Sequence, residues 1–298
     1  MYLCTVIFMC KQIINNINSM KKSLFLVGLA LIAGLTFVSC DNKKAAADVE
    51  EQAGVITDSV KAQVIELFKT VKFENDQILQ EIEVLPDGVR ILPVKYFVPL
   101  DWADKAQTLE QKCALLGCYT VDAQYDKLLY AKRNDYDARR AVITKLIAET
   151  NIASEDMSLD SLDNLDRDAY IKAVQDLSLK NFESALENDQ ADNQVTVLLY
   201  SLVETTLNAE YANEQRGEYD QLAMINDLKK SEKAMSSIVQ LIEKLSPYYE
   251  SLKNFVPITE KIKAVLDAQD EGSRDEAYLA YNNYIKELRG KLNAQVGE

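Results

Sequence analysis

Apolar residues recur along most of the chain at three- and four-residue steps, the spacing that gathers side chains on one side of a helix. Ile56, Val60, Val64, Ile65 and Phe68 make the first such stripe. Trp102, Ala106, Leu109, Cys113, Leu116, Val121, Tyr125 and Leu128 make the second, read as one helix. Asn134-Asp135 punctuates the chain and caps a helix running to about Ala148. Tyr170, Val174, Leu177, Phe182 and Leu186 mark the next. Val195, Leu198, Leu199, Leu202, Val203 and Thr206 share a broad face on the most apolar helix of the later chain, which is expected at the centre and to end at Gly217. Leu222, Ile225, Leu228, Met235, Ile238, Ile242 and Leu245 predict a single long helix. Ser246-Pro247 reads as a cap and first-turn proline for its successor, which Pro257 kinks or restarts. Gly272 separates a last helix from roughly Asp275 to Leu292. The sum is an all-α fold of about eight mostly antiparallel helices, a bundle or a helical-hairpin stack.

One stretch breaks the pattern. Residues 82–100 carry Pro86, Pro93, Pro99 and the turn Pro86-Asp87-Gly88, with the strand-like Val89, Ile91, Val94, Tyr96 and Phe97 between them. It predicts a short extended or hairpin excursion. Residues 155–168 read as an acidic, Ser-rich connection.

The start of the chain has a different design. Lys21-Lys22 precede 15 largely apolar residues from Leu24 to Val38, followed by Ser39-Cys40. A basic segment, a short apolar run and small residues before a cut make a secretory signal. The run is shorter than the ~20 apolar residues that span a bilayer. Phe37-Val38-Ser39-Cys40 resembles the lipobox of bacterial lipoproteins, although Phe37 stands where Leu is usual. The resemblance implies cleavage before Cys40 and a lipid on its sulfur. An uncleaved anchor or an ordinary cleavage site is the competing reading. Residues 1–19 do not fit a signal, and translation is expected to begin at Met20. Residues 20–39 are then the signal, 40–50 a flexible tether, and 51–298 a single helical domain.

Composition sharpens the picture. Removing residues 1–39 takes away Lys11, Lys21 and Lys22 and no acids, so the formal charge moves from −14 to −17. So acidic a surface repels polyanions. Nucleic acid is excluded as an expected partner because it needs a basic footprint. Docking on anionic headgroups is disfavoured too, leaving the lipid on Cys40 to hold the membrane. The mature part has few glycines and prolines and many helix formers. Cys113 and Cys118 sit ~140° apart on a helix and read as core-filling thiols rather than a redox pair.

A second resemblance enters at Leu116-Gly117-Cys118-Tyr119-Thr120-Val121-Asp122-Ala123-Gln124-Tyr125. It is similar to an "LGxYxxDxxY" signature in a group of uncharacterised helical lipoproteins of Bacteroides-type bacteria. In that group a later helix carries an aromatic or acidic patch within an apolar run, and Leu198-Leu199-Tyr200-Ser201-Leu202-Val203-Glu204 stands at that place. The likeness covers roughly 105–215 and the signal. It departs at Cys118, where a β-branched residue is usual, and at Leu199-Tyr200, where small residues and Trp are usual. It implies lipid anchoring and an all-α fold and brings no function. In such cells the anchor is expected in the outer membrane, facing the periplasm, because a surface-export signal would show an acidic run after Cys40. Leu116-Gly117 also resembles one line of the tetratricopeptide pattern, but no 34-residue period follows.

The chain has no histidine. That removes His-based triads, HExxH zinc sites and the Glu-x-x-His pairs of di-iron bundles. No glycine cluster cradles phosphate. Glu183-Ser184 and Glu250-Ser251 match the catalytic pair of lytic transglycosylases, yet neither is followed by the Gly-rich stretch that family needs. Asp160, Asp163, Asp166 and Asp168 lack the spacing and glycine of a calcium loop. No catalytic residue, metal ligand or cofactor is expected. Two stripes remain. Tyr119, Asp122 and Tyr125 lie close on one helix, and Tyr200, Glu204, Asn208 and Tyr211 share a side of the central one. If the helices face each other, these residues make either a structural hydrogen-bond network or a tyrosine-carboxylate ligand pocket. The expected function is a non-enzymatic, lipid-anchored binding or scaffolding module for a protein partner. A solute- or glycan-binding lipoprotein is the alternative, followed by a peptidoglycan-active enzyme.

Overall fold

The computed structural model describes residues 55–81, 96–129, 136–152, 162, 165–216 and 220–297, all within one compact unit, Gly54–Glu298. The signal, Cys40 and the tether lie outside the described residues, as do the Asn134-Asp135 pair, Gly217 and most of the acidic connection.

Every regular element described is helical. They are α1 (Asp58–Glu81), α2 (Trp102–Lys105), α3 (Leu109–Leu129), α4 (Tyr136–Thr150), α5 (Arg167–Glu187), α6 (Ala191–Arg216), α7 (Gln221–Lys230), α8 (Glu232–Leu245), a 3-10 helix (Glu250–Phe255), α9 (Val256–Asp267) and α10 (Glu271–Val296). No strand occurs among the described residues. Of the excursion expected over 82–100, residues 82–95 lie outside the described set. Residues 96–100 form a turn leading into α2.

The centre is the pair α3 and α6, which run against each other along most of their lengths. The expectation for α6 holds for a physical reason. Val195, Leu198, Leu199, Leu202, Val203 and Leu207 are buried on all sides, and so are Thr196, Ser201, Glu204, Thr205 and Asn208 between them. A helix buried all round belongs inside a bundle. Its polar side chains partly serve themselves: Thr196, Ser201 and Thr206 donate to carbonyls four residues back. Around this pair α4 packs on α3, and α1 packs on α5, α6 and α8. Phe68 of α1 stacks on Phe182 of α5 at 4.1 Å. On the far side α10 packs on α9 and also touches α6.

Gly117 sets how closely α3 and α6 approach. A Cβ there would stand 2.4 Å from the Val197 carbonyl oxygen and 3.0 Å from the Ser201 amide nitrogen. Ser201 Oγ donates to the Gly117 carbonyl at 3.2 Å across the crossing.

The described residues hold ten α-helices, more than the eight expected, because local turn chemistry cuts two long stripes. Trp102 to Leu128 breaks at Ala106, which is extended. The sequence Thr108-Leu109-Glu110-Gln111 then forms a capping box. Thr108 Oγ1 accepts from Gln111 N, and Gln111 Oε1 accepts from Thr108 N, both at 3.1 Å. Leu222 to Leu245 breaks at the buried Ser231, whose amide reaches back to the Leu228 carbonyl at 2.9 Å. Ser246-Pro247 lies in a turn, and Pro257 takes the first-turn position of α9 instead. Gly272 falls inside the first turn of α10, because Asp270 captures the Ser273 amide at 2.9 Å and starts the helix earlier. Asp166 and Asp220 cap α5 and α7 likewise. No described helix is long and apolar enough to cross a membrane.

Candidate functional site

The two predicted stripes do face each other across the α3–α6 pair, and their carboxylates form the polar heart of the domain. Asp122 and Glu204 are each at most 1% exposed. Asp122 Oδ1 accepts from Asn208 Nδ2 at 3.1 Å, and Oδ2 accepts from the Val98 amide at 2.9 Å and Arg139 Nη1 at 3.3 Å. Arg139 also donates to Asp126 at 3.1 Å and to the Val98 carbonyl at 3.3 Å, with its guanidinium 4.8 Å from the Phe97 ring centre. Glu204 pairs with Arg289 of α10 at 2.7 Å, and that guanidinium lies against Trp102. Tyr119 donates to the Pro99 carbonyl at 2.6 Å.

This arrangement has a structural logic. Residues 97–99 are neither helix nor strand, yet Phe97 and Val98 are buried. Buried backbone must find partners, and here Asp122, Arg139 and Tyr119 supply them. Burial pushes the Asp122 carboxyl up to about 8, with the Glu204 charge adding to it; Arg139, the Val98 amide and Asn208 oppose the rise. Burial likewise pushes the Cys113 thiol up to about 12 and Cys118 well above the ordinary range. Both thiols are unbridged and stay protonated, hence weak nucleophiles.

The remaining predicted residues are dispersed. Tyr125 is buried in an apolar cluster with Phe97, Val121, Tyr170 and Val174. Tyr211 stacks on Tyr96 at 4.4 Å. Tyr200 lines a separate cleft of about 200 Å³ with Glu110, Gln111 and Gln295. Exposed residues rim that cleft, and the α3 cap already occupies Gln111 Oε1. Glu183 and Glu250 are both exposed. Asp160 and Asp163 lie outside the described residues, while Asp166 serves as a cap. Among the described residues no three Cys, Asp or Glu side chains gather as metal ligands.

A cavity of about 100 Å³ lies elsewhere, between α4 and α5. Its walls are two helical stripes facing each other: Tyr136, Arg140, Ile143 and Ile147 on α4, and Tyr170, Val174, Leu177, Ser178 and Asn181 on α5. Leu116, Thr120 and Ala123 of α3 and Val197, Leu198 and Ser201 of α6 make the floor. Phe68 and Lys72 of α1 complete it, and Ile152 and Leu162 border it from the connection between α4 and α5. The space exists because α4 leans on α3 while α5 leans on α1 and α6. None of the six residues expected to bind a ligand lines it. Most wall residues taken alone read as ordinary core, and no local motif marks the site. The one anomaly legible beforehand is Lys72, a lysine two turns from the apolar Val64 and one turn from Phe68 on the same face.

No family model, curated protein or solved structure matches the chain.

Proposed function

We propose that this chain is a lipid-anchored envelope protein whose helical domain is a non-enzymatic binding module, taking a small apolar group between α4 and α5. The observation that carries the reading is the pair of largely apolar stripes that, among the described residues, face each other across open space instead of packing. Helices that leave such faces apart forgo contact energy, and ligand pockets favour sites between helices of a bundle. Roughly 150 Å³ of sealed dry cavity holds benzene; this one is smaller, about 100 Å³, but it is bordered by the half-buried Arg140, Ile147, Leu177 and Ser178, so a small ring or a short chain can enter with one edge towards solvent. Anchoring rests on the signal ending at Cys40.

Toluene tests the pocket. Titration should raise the melting temperature of the wild type saturably. Ala123→Leu, which places three more carbons on the cavity floor, should melt at or above the wild-type temperature and lose the toluene response. A wild type that never saturates, or an Ala123→Leu variant that responds equally, sinks the reading.

A further inference from the structure

The geometry points to the class of molecule this cavity selects: an uncharged one with an apolar ring or short chain and an oxygen acceptor that meets the Lys72 ammonium. The inference rests on the binding reading above.

Most polar atoms in the wall are already spoken for. Thr120, Ser178 and Ser201 each donate their hydroxyl to a carbonyl four residues back on their own helix, at 2.7, 2.8 and 2.9 Å. Gln194 donates to the Ile152 carbonyl at 2.9 Å. Arg140 is half-buried and has interactions of its own. Lys72 differs. Its side chain is 7% exposed and it lines the cavity, while its ammonium bonds Asp76 one turn further on, at 2.5 Å. An ammonium carries three donors and no acceptor. Among the described residues Asp76 is its one bonded partner, so donors remain to be met from the cavity side. A buried donor without a partner is unfavourable, and a ligand oxygen removes that penalty.

Charge decides which oxygen. Lys72 and Asp76 form a buried ion pair, neutral when both are charged, in which burial raises the Asp76 carboxyl and the Lys72 charge opposes that rise. A ligand carboxylate beside them would leave one negative charge uncompensated away from water, which costs more than the new hydrogen bond returns. A carbonyl accepts without upsetting the balance.

Three ligands with one ring separate the terms: toluene with no acceptor, acetophenone with a neutral one, and benzoate with an anionic one. Affinities are measured by calorimetry at pH 7 on the full chain and on Lys72→Met. The double variant Lys72→Met with Asp76→Leu keeps the site neutral if the single one fails to fold. Acetophenone should weaken about tenfold on losing Lys72 while toluene is unchanged, and benzoate should bind the wild type at least tenfold more weakly than acetophenone. Toluene binding with acetophenone indifferent to Lys72, or benzoate binding as tightly as acetophenone, overturns this inference and leaves the cavity reading standing. Failure of all three ligands overturns both.

Discussion

Asp122 is a carboxyl whose surroundings argue with one another. Burial and the Glu204 charge favour the protonated form, while Arg139, the Val98 amide and Asn208 favour the ionised one, and burial is the largest influence. The consequence for stability has a definite sign. A carboxyl raised in the folded state holds its proton more tightly there than in the unfolded chain. Its contribution is therefore full below the ordinary carboxylate range, from 3.8, and fades as pH rises towards about 8. Denaturant unfolding of wild type and Asp122→Asn at pH 4.5, 6 and 7.5 reads this directly. The wild type should lose stability relative to the variant as pH rises; the opposite slope would show that the ion pair with Arg139 dominates. The carboxylates of this network were legible as stripes on two helices. Arg139 and Arg289 were not, because each comes from a helix whose pairing only the folded chain reveals. The signal that would have found the first is an arginine in step with Tyr136, Ile143 and Leu146 on one helix face, where the fold leaves it 1% exposed.

At the scale of elements, the α3–α6 crossing sets the geometry of everything packed around it. Gly117→Ala would drive a methyl into the Val197 carbonyl, and backbone cannot swing aside as a side chain does. Overpacking of this kind costs roughly 1–3 kcal/mol, and this site belongs at the upper end. Gly290→Ala is the control, since nothing lies within 4 Å of a Cβ there and α10 gains helix propensity. Thermal melts followed by circular dichroism should show a clear fall for the first and none for the second. Helix periodicity located the central helix and most of the stripes. It missed the breaks at Ala106 and Ser231 because apolar spacing continues through both, while the chain turns for reasons held in caps and single amides. The cavity escaped for a related reason: five helices each lend it a few residues, and their juxtaposition is tertiary.

On the whole molecule, the charge bears on the proposed anchor. Cleaved before Cys40 as proposed, the chain would carry a formal charge of −17 and offer anionic membranes no attraction. Retention would then depend on the proposed lipid at Cys40, with two or more lipid signals sufficing for stable anchoring. Growth of producing bacteria with an alkyne-tagged fatty acid should label the wild type and bring it down with membranes. Cys40→Ser should go unlabelled and appear in the soluble fraction. Equal labelling of the two, or a variant that still sediments with membranes, would remove Cys40 from its proposed role.

The stitching of residues 97–99 also bears on the order in which the chain assembles. The Val98 amide and carbonyl and the Pro99 carbonyl find their partners on side chains of α3 and α4, up to 41 residues further along. Until those helices have formed and docked, that backbone keeps its hydrogen bonds with water. This early segment is thus among the last to settle, waiting on a part of the chain that is synthesised after it.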